Sequence, residues 1–233
     1  MVKWQMFSFS DWLFPKECFV CNKKGSYLCP TCQSSLACQK EQFCPICGRL
    51  SIGGFSHPAC LKKQGLDGLV SLFPFRSPVG KMLKSFKYHQ VRELENSLAS
   101  LTASALSENK ILRFWRRQLF NFTSVPLFPA RRLWRGFDQS ERILKGTCLK
   151  LNLSFEENVL ERRRWTKVQV KLIAKKRLRN MIGAFAVVNK TLIKNKNWVV
   201  FDDVWTTGST LKESAKVLKI SGAKQVWALT LCC

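Results

Sequence analysis

The chain is poor in acidic residues. It has 15 Asp and Glu against 39 Lys and Arg, which gives a formal net charge of +24 over 233 residues. An excess of this size suggests a polyanionic partner, either a nucleic acid or, as a weaker alternative, an anionic lipid surface. The competing interpretation is that the charge serves only to keep the protein dissolved or reflects a lineage-wide bias toward basic residues.

Long apolar runs are missing as well. No stretch reaches the roughly 20 residues that a helix needs to cross a bilayer. The opening segment MVKWQMFSFSDWLFP lacks the apolar core and small-residue cleavage site of a signal peptide. We therefore expect a cytoplasmic location, with the opening segment as a short helix or arm and with no membrane span.

Cysteine, by contrast, is abundant. In a chain expected in a reducing compartment, 11 cysteines favour metal ligation over disulfides. Most fall in CxxC-type pairs, and the candidate ligands are Cys18, Cys21, Cys29, Cys32, Cys44, Cys47, His57 and Cys60. Two such pairs complete a tetrahedron, so we expect one or two structural Zn²⁺ ions and no catalytic one. Consecutive and interleaved pairings both remain open, and Cys38 is interpreted as a spare thiol.

The most informative stretch is a strand, a polar turn and a helix. Trp198 to Phe201 are apolar and favour a buried strand, and Asp202 and Asp203 follow directly. Thr206 to Thr210 then open a helix that stops at Gly222. Hydroxyl groups and backbone N–H groups at a helix start suit an anion, whereas the two carboxylates suit sugar hydroxyls. This combination predicts a phosphorylated ribose as ligand, and no Walker loop occurs.

The remaining chain predicts an α/β domain. The expected strands are 69–75, 122–127, 181–188 and 225–231, and the expected helices are 77–87, 91–106 and 139–149. Residues 64–68 are expected to be a linker, which would separate an N-terminal segment with a double zinc ribbon (1–65) from a larger domain (66–233). Arg131, Arg132 and Arg135 crowd an expected loop, where arginine suits phosphate capture.

Two further segments are basic and aromatic. Residues 112–117 (LRFWRR) have a composition that can stack bases, although a half-buried surface helix explains it equally well. Residues 161–180 carry nine bases and one acid, which indicates a mobile loop or a polyanion-binding surface.

Four motifs, in this order, resemble the ComF/GntX family of competence-associated proteins. They are the CxxC pairs; VP…RR..RGFDQ at residues 125–139; T-x2-Q…R-x2-N…GAF at residues 166–185; and FDDVWTTGST at residues 201–210. The resemblance implies an N-terminal double zinc ribbon and a type I phosphoribosyltransferase fold, which is Rossmann-like with a mainly parallel sheet flanked by helices. Two departures occur: Asp138 for Asn is expected to matter little, and His57 for Cys is expected to alter the zinc affinity but not the role of the residue.

The resemblance also implies roles for residues in binding phosphoribosyl pyrophosphate (PRPP) with Mg²⁺. The catalytic pair Asp202 and Asp203 would hold the ribose hydroxyls. The remaining roles are the 5′-phosphate site (Thr206, Thr207, Gly208, Ser209, Thr210), the pyrophosphate loop (Arg131, Arg132, Arg135) and a flexible loop (Arg164, Thr166, Gln169).

Two functional hypotheses stay open. In the first, the protein is an enzyme that transfers phosphoribose to an acceptor nitrogen, although no general base is evident. In the second, it binds single-stranded nucleic acid in DNA uptake, with or without sensing PRPP, and meets competence or DNA-processing proteins. The nucleic-acid contacts would then be Arg162, Arg163, Arg164 and Lys167, with Trp115, Trp134 and Trp165 as stacking residues.

Overall fold

The computed structural model describes residues 16–88, 94–164 and 181–233. The chain divides into two compact units, Met1–Ala37 and Cys38–Cys233. The first unit contains the helix α1 (Pro30–Ser35), which begins with proline at its first position. The second zinc-ligand set therefore shares a unit with the large sheet, and the predicted domain boundary at 65/66 stays a prediction.

The second unit alternates strands with helices. In chain order its elements are β1 (Gln42–Phe43), β2 (Leu50–Ser51), two 3₁₀ turns (Ile52–Gly54 and Pro58–Cys60), β3 (Gly68–Phe73), α2 (Pro78–Tyr88), α3 (Leu94–Glu108), α4 (Ile111–Arg117), β4 (Phe120–Ser124), α5 (Pro129–Arg135), α6 (Gln139–Leu151), β5 (Leu160–Arg162), β6 (Phe185–Val187), α7 (Lys190–Ile193), β7 (Asn197–Val204), α8 (Ser209–Ile220) and β8 (Gln225–Cys232).

The central sheet has the strand order β3-β8-β7-β4, and all its pairings are parallel. Parallel strands are covered on both faces, which explains why β7 and β8 are nearly continuous apolar runs. The strands β1–β2 and β5–β6 form two small antiparallel two-stranded sheets. The predicted α/β class with a mainly parallel, helix-flanked sheet is confirmed.

Each face of the sheet has its own core. On one face Trp198 and Val200 of β7 join Leu211 and Ala215 of α8, and all four side chains are almost fully buried. On the other face Trp115 of α4 contacts Trp227, with ring centroids 5.8 Å apart. Since a buried side chain of this size contributes about 1.5–3 kcal/mol, these two layers fix the sheet on which the site is built.

The second zinc-ligand segment packs on the edge strand β3. The Gln42 side chain exchanges hydrogen bonds with the backbone of Ser71, through Nε2 to the carbonyl (3.0 Å) and Oε1 from the N–H (2.9 Å). The Phe55 ring lies edge-on to Trp227, with centroids 4.6 Å apart. Residues 64–68 are therefore not a linker: Leu66 is buried, and Asp67 pairs with Lys219 at 2.7 Å.

Two basic segments differ from expectation. The segment with Arg131 and Arg132, expected as a loop, contains the helix α5, because Pro129 suits a first helical position and Gly136 supplies the left-handed cap. Residues 112–117 lie in α4, and Trp115 there is buried, so the half-buried helix interpretation is correct. Among the described helices, none has both the length and the apolarity to span a membrane.

Candidate functional site

The acidic pair lies at the carboxyl end of β7, next to its neighbours in the sheet. Asp203 is 8% exposed, whereas Asp202 is more accessible. The Asp202 carboxylate accepts a hydrogen bond from the Asp203 N–H (2.9 Å), and Ser140 Oγ at the start of α6 lies 3.4 Å from it. Ligands of open α/β sheets bind at this edge, so both acids are in position to meet one.

The turn after β7 ends in an open helix N-terminus. Gly208, with a φ of 66°, is the residue before α8, and no side chain caps the helix. The first N–H groups of α8 precede the first helical bond, from Lys212 N to the Gly208 carbonyl at 2.8 Å. Thr207 Oγ1 and Ser209 Oγ lie 3.1 Å apart beside them. The first N–H groups of a helix, at the positive end of its dipole, favour an anion, so this turn is a candidate anion site.

Lys212 is a site residue that the sequence did not reveal. Its Nζ lies 3.4 Å from the Thr207 carbonyl and 5.4 Å from the centre of the Trp205 ring. Burial lowers the pKa of Lys212, and the Cys44 thiolate nearby partly offsets this effect. Lys212 lies in the first turn of α8, and its amine reaches back to the loop before the helix only once that loop has folded.

The arginine segment follows from the strand that neighbours β7. Ser124 at the end of β4 pairs with Phe201, and the Val125 N–H continues this pairing to the Phe201 carbonyl (2.9 Å). On the following α5, Arg131 is half-buried, and the exposed Arg132 lies 3.9 Å from Glu141. The Arg135 side chain is outside the described part of the chain. The two described arginines thus belong to the segment that leaves the sheet beside the acidic pair.

Asp138 joins the two ends of this segment. It is 3% exposed, and its two carboxylate oxygens accept hydrogen bonds from Leu127 N (2.7 Å) and from Glu141 N (3.3 Å). Burial raises its pKa, and these two N–H groups counteract the shift. An asparagine has only one acceptor oxygen for two donors. An aspartate, unlike an asparagine, therefore offers one carboxylate oxygen to each donor here, and the expectation that this departure matters little stays a prediction.

The predicted nucleic-acid arginines lie at the end of β5 and directly after it. Arg162 is half-buried, and its guanidinium lies 5.5 Å from the centre of the Phe185 ring. Its pKa is lowered by burial and by Arg131, while Asp202 and Asp138 act in the opposite direction, so Arg162 faces the acidic edge.

The two arginines that follow β5 make local contacts. Arg163 pairs with Glu161 at 2.6 Å, and Arg164 Nη2 donates to the Ile182 carbonyl (2.9 Å). The predicted contacts Thr166, Lys167 and Gln169 lie outside the described residues.

The zinc ligands group in consecutive order. Cys18, Cys21, Cys29 and Cys32 form one set, and Cys44, Cys47, His57 and Cys60 form the other, with the ligand atoms of each set within 4.8 Å of one another. Cys38 belongs to neither. His57 Nε2 lies 3.1 Å from the Leu50 carbonyl, which leaves Nδ1, 3.3 Å from Cys47 Sγ, for the metal. Four cysteines in the first set, and three cysteines with one histidine in the second, are the donors of structural zinc sites.

One ligand of the second set, Cys47, is favoured as a thiolate by its surroundings. The Arg49 backbone N–H, then its side chain, lowers the pKa of Cys47 to about 6. Because zinc binds the thiolate and not the thiol, a lowered pKa favours metal binding at neutral pH.

Comparison with known proteins agrees with this geometry. Residues 9–61 match the double zinc ribbon domain family. The chain is 30% identical to the DNA utilization protein YhgH of Salmonella typhi, over 92% of this chain and 96% of the relative. It is 29% identical to competence protein F of Haemophilus influenzae, over 87% and 89%, and 24% identical to competence protein ComFC of Streptococcus pneumoniae, over 88% and 87%. The chain therefore belongs to the competence and DNA-utilization family of YhgH and competence protein F.

Proposed function

We propose that the chain binds PRPP together with Mg²⁺ at the carboxyl edge of the sheet and acts as a phosphoribosyltransferase. One observation carries the proposal. A carboxylate pair and an open helix N-terminus belong to one continuous unit, the end of β7 and the start of α8. The first suits the hydroxyls of a sugar and the second suits a phosphate, and a 5-phosphoribosyl group has both.

The turn supplies the phosphate site. Gly208 turns the chain so that the N–H groups of Ser209 and Thr210 lead the helix, and the hydroxyls of Thr207 and Ser209 lie beside them. The Lys212 amine adds a positive charge beneath the same loop. A 5′-phosphate bound here would gain charge-assisted hydrogen bonds from both backbone and side chains.

The acidic edge has the donors for Mg²⁺. This cation prefers oxygen ligands and is held by one or two carboxylates together with substrate phosphates. Asp202, which is accessible and already oriented by Ser140 and by the Asp203 N–H, fits that role. The cation would partly neutralise the pyrophosphate of PRPP.

The chain's own cations would act on the leaving group. In the transfer, the bond from the anomeric carbon to pyrophosphate breaks, and an acceptor nitrogen forms the new bond and loses its proton. The departing pyrophosphate needs positive charge. This would come from Arg131 and Arg132 on α5 and from Arg162 at the end of β5. The exposed Arg132 is free to turn toward a ligand, since surface ion pairs such as the one with Glu141 are weak.

The test is PRPP titration calorimetry with Mg²⁺ on the double variant Asp202→Asn, Asp203→Asn. Each lost charge-assisted hydrogen bond is worth about 1.5–3 kcal/mol, so affinity should fall at least tenfold. Glu108→Gln, an exposed acid at the end of α3, is the matched control and should bind as the wild type does. Unchanged PRPP affinity in the double variant would refute the site. Release of pyrophosphate across candidate bases and strands then tests the transfer.

Single-stranded nucleic acid is the second ligand that we propose. The net charge of +24 provides the electrostatic attraction, and curated relatives carry the names DNA utilization protein and competence protein. The two functions are compatible, because a nucleic-acid base offers a nitrogen acceptor and its phosphates match the arginine-rich rim.

A further inference from the structure

The described tryptophans differ sharply in exposure. Trp115, Trp198 and Trp227 are fully buried, and Trp205 is half-buried against the core. Trp134 on α5 is 67% exposed. Among the five tryptophans that the structure describes, four pack in the interior and Trp134 presents a large aromatic surface to the solvent.

Trp134 lies on a helix with an unusual surface. The adjacent Leu133 is 84% exposed, and none of the α5 side chains described is buried. In the part of the chain that the structure describes, no other ring stacks on Trp134. Both side chains are largely exposed, so packing in the core does not account for the Trp–Leu pair.

The charge around this pair identifies the occupant. The sequence of α5 is PARRLWR, which contains three arginines and no acid. A surface that binds another protein would need only the apolar pair and would not require the three arginines. Exposed aromatic side chains interleaved with arginine are the pattern that holds single-stranded nucleic acid, in which bases stack and phosphates meet the cations.

The position of α5 places this surface beside the proposed reaction site. The helix follows β4, whose last residue pairs with Phe201, the residue before Asp202. Together with burial, Arg131 on the same helix lowers the pKa of Arg162, and the Asp202 carboxylate raises that pKa, so the charges of all three residues interact. A base held on Trp134 would therefore lie at the rim of the site in which the ribose is expected.

We propose that Trp134, extended by Leu133, stacks an unpaired base of a single-stranded nucleic acid whose phosphates are attracted by the positive charge of α5. This inference rests on the proposed function, since it names the acceptor-side partner of the same site. Stacking on Trp134 is tolerant of base identity, because every base offers a π face.

The test compares two oligonucleotides of equal length, one of thymidine and one of abasic sites, which share phosphates but not bases. Trp134→Ala should weaken binding of the thymidine strand roughly 5- to 150-fold, as expected for the loss of stacking. Binding of the abasic strand, which is already weaker, should not change. Trp134→Phe should keep most of the affinity, and Leu149→Ala, at an apolar residue on α6 that is as exposed as Leu133 (84%), should have no effect.

Two results would overturn the inference: equal binding of the thymidine strand by Trp134→Ala and wild type, or an equal loss on both strands. The first would favour a protein partner for α5, and the second would indicate a phosphate contact. PRPP titration distinguishes a failure of this inference from a failure of the proposed function, since Trp134→Ala should retain the PRPP affinity of the wild type. The melting temperature of Trp134→Ala should stay at the wild-type value because the side chain is exposed.

Discussion

The turn that leads into α8 makes a specific demand at Gly208. A Cβ placed there would lie 2.1 Å from Cη2 and 2.3 Å from Cζ2 of Trp205, and the backbone φ is 66°. Gly208→Ala therefore meets two separate obstacles, a left-handed backbone and a collision with an aromatic ring. Because this turn is also the proposed 5′-phosphate site, both stability and PRPP affinity should fall.

The two contributions can be estimated separately. A left-handed conformation costs an L-residue roughly 1–2 kcal/mol. Overpacking in a closely packed region adds about 1–3 kcal/mol. The sum of about 2–5 kcal/mol corresponds to a fall in melting temperature of roughly 4–20 °C for a chain of this size.

Gly183 provides the matched control for the backbone contribution. Its φ is 68°, yet a Cβ there meets nothing within 4 Å. Gly183→Ala should therefore show the backbone cost alone. The excess destabilisation of Gly208→Ala over this control measures the contact with Trp205.

A double-mutant cycle isolates the same contact. Trp205→Val removes the ring, so Gly208→Ala should cost about 1–3 kcal/mol less in that background than in the wild type. Urea unfolding measures the four free energies, and calorimetry with PRPP reports the loop. Additive free energies within about 0.5 kcal/mol would refute the placement of the Trp205 ring over Gly208.

Two further predictions concern the zinc sets and the buried acid. Cys44→Ser with Cys47→Ser, and separately Cys18→Ser with Cys21→Ser, should each lose about one zinc per chain by metal analysis. Only the former should clearly lower the melting temperature of the sheet, because its ligands belong to the same compact unit; equal falls would contradict this. Asp138→Asn should destabilise the chain by about 1–2 kcal/mol in urea unfolding, since one of two buried N–H donors then faces an amide donor. A variant as stable as the wild type would show that relief from burying a charge compensates.

The parts of the site that the sequence predicted are those encoded locally. The CxxC spacings bring neighbouring sulfurs together, and the run from Trp198 to Thr210 specifies strand, turn and helix with no distant contact. Asp202 and Asp203 could therefore be placed at a strand end before the fold was known.

The parts that were missed depend on contacts between segments far apart in sequence. Ser140 meets Asp202, and Gln42 meets Ser71, only after the sheet has formed. Lys212 lies within the predicted helix, but its role follows from how the turn folds back over Trp205. A proline at the start of α5 and a glycine at its end are local signals for a helix. The prediction of a loop gave more weight to the crowded arginines than to these two residues.

The way in which residues 38–65 cover β3 has a consequence for truncation. Removal of everything before residue 66 would take away the Gln42 amide and the Phe55 ring and leave the outer strand of the sheet open to water. Open strand edges pair with other chains, so such a fragment would tend to self-associate. A fragment that begins at residue 38 keeps this cover and coincides with the second compact unit.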